Sequence, residues 1–300
     1  MFRSKIKDYL RFLKWRIPYK RSIKKFPIKT LNFDDTVDLI IRNKLSVSRF
    51  GDGEFRFLLS KDTGGTFEIN SRRLSTELKN ILIERNDKVL ICLPSVYKSI
   101  NNLKFEDKVF WQREVSIYLK QYYKYLPKKV YGDAFFTRPY QEYSINDSLT
   151  EYKFKKIKRI WDERNILLVE GRLTRFGVGN DLLKNAHSVK RILAPEVNAF
   201  EKIDCIYDAV ENGLKGKHDD TLVLLSLGPT ATVLSAKLSN NLNVQAIDIG
   251  HLDIEYEWFI RRATKKIPIK GKYVNESINS KFIESKVNKK YLSEIVDEIE

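Results

Sequence analysis

From about residue 30 onward, short apolar runs rich in β-branched residues alternate with amphipathic stretches. A continuous apolar run suits a strand covered on both faces, and 3.6-residue periodicity between the runs marks the helices that cover it. The pattern places strands at Ser46–Phe50, Lys88–Pro94, Ile166–Glu170, Lys190–Ala194, Thr221–Leu227 and Val244–Ile249. Helices are expected near 73–85, 106–125, 150–163, 177–186, 199–213, 230–240 and 253–264. Strands joined by helices predict an α/β fold with a mostly parallel sheet. There is no internal repeat and no low-complexity linker, so a single domain over residues 31–279 accounts for the pattern.

Two amphipathic segments flank that domain. In residues 1–30, Phe2, Ile6, Tyr9, Leu10, Leu13 and Ile17 recur at helical spacing, while Arg3, Lys5, Lys7, Arg11, Lys14 and Arg16 take the remaining faces. In residues 280–300, Phe282, Ile283, Val287, Tyr291, Ile295 and Ile299 form one stripe. That stripe predicts a closing amphipathic helix, packed on the core or on a partner surface.

Composition changes this picture in one place. Hydrophobic residues make up 42% of the 300 positions and aromatics 12%, enough apolar material to build a folded core. The formal charge of +16 is concentrated: residues 1–30 hold eleven lysines and arginines against one aspartate. Such a basic amphipathic helix can lie on an anionic membrane, or its stripe can pack on the domain with the charges solvated. Nucleic acid is not the expected partner, because no DNA- or RNA-binding signature accompanies the charge. Cys92 and Cys205 lack zinc-site spacing and read as buried thiols. No run approaches the eighteen or so apolar residues of a membrane span, and the basic start lacks a secretory signal's apolar core. The expected location is the cytoplasm, at the inner face of the cell membrane.

In open α/β sheets, ligands bind beyond the carboxyl ends of the strands. The residues following the predicted strands are rich in glycine and charge. After the first come Arg49, Gly51, Asp52, Gly53 and Glu54. Two carboxylates flanked by glycines can converge on one hard cation, Mn²⁺ or Mg²⁺, if the backbone is extended or turned there; a helix-capping turn is the plainer reading. Arg49 adds a phosphate-binding cation. After the third strand, Arg172, Arg175, Gly177, Gly179 and Asn180 precede or open the expected 177–186 helix, where free N–H groups and the helix dipole favour an anion. The spacing is neither a Walker loop nor a GxGxxG fingerprint. After the fifth, Gly228, Pro229, Thr230 and Thr232 suit phosphate, ribose or simple capping. After the sixth, Asp248, His251, Asp253 and Glu255 crowd a strand-to-helix boundary, with roles as general base, sugar-hydroxyl ligand or further metal contact. Arg138, beside Pro139 and Tyr140, suits a nucleotide base or a sugar; a surface turn is the alternative.

Taken in order, these pieces resemble the bacterial GT-D glycosyltransferase family. The resemblance runs from about Phe33 to Glu276 and includes Arg49 through Glu54, Thr137 through Tyr140, Glu170 through Asp181, Leu227 through Thr232, Ala246 through Trp258 and Lys272 through Glu276. It implies a single Rossmann-like domain and a D-x-E motif, here Asp52 and Glu54, that holds Mn²⁺ against a UDP-sugar. It also implies acceptors in surface glycoproteins or polysaccharides; the basic extension departs from the minimal family domain and favours a polyprenyl-diphosphate-linked glycan.

The resulting expectation is hexosyl transfer from a UDP-sugar to a glycan acceptor. Asp52 and Glu54 take the metal. Arg49, Gly51, Arg138, Arg172, Arg175, Gly177, Gly179, Asn180, Gly228, Pro229, Thr230, Thr232 and Asp248 surround the nucleotide. Asp253 or Glu255 serves as base, with Glu276 and His251 behind. Two other classes compete: a metal-dependent phosphate-ester hydrolase or phosphotransferase, and a non-catalytic regulator that binds nucleotide or nucleic acid.

Overall fold

The six predicted apolar runs become adjacent strands of one sheet in a computed structural model, which describes residues 2–61, 67–84, 86–127, 129–143, 147–216, 219–274 and 289–300. In chain order the elements are α1 (Phe2–Lys25), β1 (Lys29–Thr30), α2 (Phe33–Asn43), β2 (Ser46–Arg49), α3 (Asp52–Leu58), α4 (Arg72–Ile83) and β3 (Val89–Leu93). There follow α5 (Phe105–Tyr122), β4 (Val130–Asp133), α6 (Asp147–Lys158), β5 (Asn165–Gly171), β6 (Ser188–Ala194), α7 (Ile203–Leu214) and β7 (Thr221–Ser226). The chain ends with α8 (Pro229–Leu242), β8 (Gln245–Asp248), α9 (Leu252–Ile260), α10 (Lys289–Glu294) and β9 (Ile295–Glu298).

Among the described residues nine strands form one sheet in the order β1-β4-β3-β2-β8-β7-β5-β6-β9, and all their pairings are parallel. Side chains alternate between two cores. On β5, Leu167 and Val169 join a cluster with α4, α5, α7 and α8, while Ile166 and Leu168 join one with α2, α6 and α9. Burial on both faces is the reason these strands read as unbroken apolar runs. The Asn32 and Ser71 side chains start α2 and α4 by accepting from the N–H groups of Asp35 and Leu74.

Three expectations need correction, and one of the two readings of the α1 stripe is ruled out. The segment 177–186 is a chain of turns, not a helix: Arg175, Gly177 and Gly179 all have positive φ, and Asn180 uses its side-chain oxygen on the Leu182 N–H. The C-terminal segment is not one helix, because α10 ends at Glu294 and the chain continues as β9 along the sheet edge. Residues 280–288 lie outside the described part. Cys205 is exposed, because α7 buries Ile203, Ile206, Ala209 and Val210 and leaves position 205 off that face; Cys92 is buried as expected. The stripe of α1 does not pack on the domain: Ile6, Tyr9, Leu10, Leu13 and Ile17 face solvent, and Phe12 and Tyr19 make the contact instead. Strands β1, β4 and β9 had no sequence signal, being two to four residues long and polar in part. Among the described residues no helix is long and apolar enough to cross a membrane.

Candidate active site at the carboxyl edge of the sheet

The winding of the chain reverses where β8 enters between β2 and β7, and such a point opens a crevice at the carboxyl edge. Here the loops after β2, β5, β7 and β8 meet. Arg49, the last residue of β2, points its guanidinium across β8: Nη1 lies 3.4 Å from Asp248 Oδ1, and Nε donates to the Ala134 carbonyl at 3.3 Å. Asp248 also accepts from the Gly250 N–H at 3.0 Å. The Thr232 hydroxyl lies between the Arg49 carbonyl (2.8 Å) and Asp248 Oδ2 (3.2 Å). Gly250, at φ 46°, makes this possible, since a Cβ there would stand 1.8 Å from Arg49 Nη1.

Gly51 then caps α3, and its N–H donates to Glu54 Oε2 at 2.7 Å, the Glu half of a capping box. Burial pushes the Glu54 carboxyl above its ordinary range, and the nearby Asp248 charge adds to this against Arg49. Burial likewise raises Asp248, opposed by Arg49. Asp52 is more open and lies 3.6 Å from Arg56, which is held at 2.7 Å by the buried Glu114.

The D-x-E triplet therefore opens a helix rather than an extended turn, and side chains two apart on a helix do not face each other. Among the described residues no three His, Cys, Asp or Glu side chains converge as a metal site. The donor chemistry nonetheless fits a hard divalent ion: Asp52, Glu54 and Asp248 offer only oxygen, and the Arg49 charge opposes the upward shift of both Glu54 and Asp248. To share an ion with Asp52, the Glu54 carboxylate has to leave the Gly51 N–H.

A second cluster fixes the loop after β5. Glu170 is fully buried, ion-paired to Arg191 at 2.6 Å, and accepts the Phe176 N–H at 2.6 Å. Downstream, the Gly177 N–H and the Asn180 amide both donate to Asp253 Oδ1, at 2.9 and 2.8 Å. The same amide reaches Glu257 Oε1 at 2.7 Å. Lys272 Nζ closes the network, 2.6 Å from Asp253 Oδ2 and 3.1 Å from Glu257 Oε1. Burial alone would raise Glu257, but Lys272, Asn180 and Arg261 outweigh it and hold its pKa below the ordinary value.

Asp253 and Glu257 share one face of α9; Glu255 lies on another. Its Oε2 accepts the Tyr140 and Gln141 N–H groups at 3.0 and 2.8 Å, so it anchors the segment that carries Arg138. Arg138 itself leans toward Glu142 at 3.4 Å. Arg172 is turned to the sheet edge, donating to Glu298 at 2.6 Å and to the Ile299 carbonyl at 2.8 Å. Glu276 lies outside the described residues.

A cleft lies between these clusters, bordered by Phe67, Thr174, Ser226, Gly228, Gly250 and His251, with Asp253 at its wall. Gly228, at φ 54°, caps α8, and the Phe67 ring lies against it, 2.3 Å from where a Cβ would be. The strap carrying Phe67 is tied down by Glu68, which accepts from the Phe200 N–H and the Thr230 hydroxyl. Burial pushes Glu68 up to about 7.

The structure thus brings Arg49, Gly51, Glu54, Thr232 and Asp248 together, places Gly228, His251 and Asp253 on the cleft, and turns Arg172 and Glu255 elsewhere. The loop at 177–180 does not cap a helix, and the Gly177 N–H is already given to Asp253. Lys272 and Glu257 were quoted in the sequence motifs without a role; their spacing along the chain carries no sign that they meet. Phe67 and Glu68 had no sequence signal at all.

Comparison with known proteins agrees with this architecture. The profile of the glycosyltransferase GT-D fold matches residues 47–277. A probable glycosyl transferase Gly of Streptococcus gordonii is 35% identical over 250 residues, covering 83% of this chain and 36% of the relative. Glycosyltransferase GlyD of Streptococcus pneumoniae is 33% identical over 273 residues, covering 91% of this chain and 33% of the relative. The chain spans about a third of the length of these curated relatives. A solved structure described as the highly conserved domain of unknown function 1792 with a distinct glycosyltransferase fold superposes with a TM-score of 0.87 at 35% identity, covering 94% of this chain and all of its own. A glycosyltransferase of Streptococcus sanguinis superposes at 0.85 with 32% identity, covering 91% of this chain and all of its own.

Proposed function

The chain belongs to the GT-D glycosyltransferase family, and from that membership we propose that it transfers a hexose from a UDP-sugar to a glycan acceptor of surface polysaccharide or glycoprotein synthesis. The observation that supports this reading most is the cleft itself. It opens at the switch point of a parallel sheet, beside the start of a 14-residue helix. There N–H groups and the helix dipole favour a diphosphate.

In this reading Asp52 and Glu54, with Asp248 beside them, hold Mn²⁺ or Mg²⁺, which when bound supplies Lewis-acid stabilisation of the leaving diphosphate. Arg49 keeps Asp248 in place, and Gly250 lets the guanidinium approach the backbone through Nη1. Phe67 offers an aromatic face to a base or sugar ring. In this reading His251, which borders the cleft, accepts the proton from an acceptor hydroxyl, whereas Asp253 is held by Gly177, Asn180 and Lys272 and Glu255 serves the backbone of Tyr140 and Gln141.

The test is transfer from a panel of UDP-sugars, with and without Mn²⁺. Asp52→Ala should lower transfer by about 100-fold or more, since it removes charge stabilisation made in the transition state, while circular dichroism and the thermal midpoint stay close to wild type. Excess chelator should stop turnover and Mn²⁺ restore it. Full activity of Asp52→Ala, or rates indifferent to chelator, would remove the metal from this proposal.

A further inference from the structure

The helix α1 holds to the domain by one face only. Phe12 lies 5.4 Å from Phe105, the first residue of α5, and Tyr19 donates to the Val96 carbonyl at 2.5 Å. Just past the ends of both helices, Phe26 meets Tyr123 at 5.2 Å. The two helices therefore run parallel, and residues 2–11 project about 15 Å beyond the start of α5 at 1.5 Å per residue. That start lies on the side where β3 ends, beside Glu142, whose carbonyl accepts the Lys104 N–H. The projecting turns of α1 thus stand at the same edge of the sheet as the cleft.

The stripe of Ile6, Tyr9, Leu10, Leu13 and Ile17 is centred about 125° around α1 from the Phe12–Tyr19 face, counting 100° per residue. They are between 44% and 59% exposed. This is an unbroken apolar stripe of three turns turned away from the protein. Lys7, Lys14 and Arg21 line one border of it, Arg16 the other, and Lys20 and Lys24 follow at its end. The helix has one acid with a described side chain, Asp8, and Arg11 pairs with it at 3.1 Å.

We propose that α1 is a membrane-docking helix that lies in the surface of an anionic bilayer, its stripe among the acyl chains and its flanking cations at the lipid headgroups. The charge decides the occupant. Two copies joined along this stripe would set rows of like charge against each other, whereas an anionic surface complements both borders at once. Docked in this way, α1 lies along the bilayer together with α5 and the strands that α5 covers, so the cleft edge faces along the membrane surface. Docking keeps the protein at the membrane surface, where a lipid-carried acceptor can be met if the transfer reading holds; the docking itself does not depend on that reading.

The experiment is co-sedimentation of the full chain with phosphatidylcholine vesicles, with and without phosphatidylglycerol. The expected result is binding to the anionic vesicles at least tenfold tighter than to phosphatidylcholine alone. The double variant Leu10→Glu/Leu13→Glu should lose at least tenfold in that binding, and Lys7→Glu/Lys14→Glu should lose a similar amount. All four positions are exposed, so both variants should keep the wild-type thermal midpoint. Absence of binding to anionic vesicles would overturn the proposal. So would wild-type binding by the first variant, or a dimer, formed without vesicles, that Leu10→Glu/Leu13→Glu abolishes. Because no sugar donor is present, failure here leaves the transfer reading standing, and loss of transfer activity leaves this result standing.

Discussion

At residue scale, the site depends on positions where one atom more or less decides the geometry. Gly250 was visible in the sequence as a glycine after a strand, but its partner Arg49 lies about two hundred residues earlier, and only the fold lays the guanidinium on its Cα. Gly250→Ala places a Cβ against Arg49 at a positive φ and forces the guanidinium away from the buried Asp248. We expect a loss of about 2–4 kcal/mol in urea unfolding, from backbone strain and a broken buried ion pair; a loss below about 0.5 kcal/mol would show that the loop simply yields. Glu68 makes a pH-dependent prediction. Its folded pKa of about 7 lies above the ordinary carboxylate value because burial disfavours the anion. The folded state then binds the proton more tightly than the unfolded chain, so stability declines as pH rises between about 4.5 and 7 and levels off above. Gln keeps an oxygen for the Phe200 N–H and the Thr230 hydroxyl. Glu68→Gln should therefore gain about 1–3 kcal/mol over wild type at pH 8 and little at pH 4.5. An equal effect at both values in thermal melts would sink this account.

At the scale of elements, α9 has two working faces. One holds the loop after β5 through Asp253 and Glu257, and the other holds the segment after β4 through Glu255. The sequence showed these acids crowded at a strand-to-helix boundary and could not sort them, because three carboxylates at alternate positions are equivalent until their neighbours are known. Lys272 is the cation that two of them meet in the interior. Lys272→Met should cost about 3–5 kcal/mol by leaving buried charge uncompensated, and the loop at 175–180 should become protease-sensitive. A loss under about 1 kcal/mol would mean that water reaches the pair. The helix expected at 177–186 failed for a related reason. Its periodic apolar residues are real, but two glycines with positive φ and the Asp253 acceptor hold the chain in turns. At the other end, the described part of the stripe, residues 289–300, runs through a short helix and then an edge strand, a change of period too short to read.

At the scale of the whole molecule, the hydrophobic pattern alone led to the parallel sheet and to six of its strands, because burial on both faces leaves an unbroken apolar run that no surface segment has. It also pointed to the carboxyl edge, where glycine and charge collect as the strands stop and where the cleft lies. The helical stripe of α1 was legible for the same reason of periodicity; which of its faces met the domain was not. Tertiary structure decided that, along with the strand order, the three short strands, the turn conformation after β5 and every pairing in the site. Each of these is set by contacts between residues far apart in the chain, such as Arg49 with Gly250 or Asp253 with Lys272, and a local pattern holds no record of what will stand opposite it.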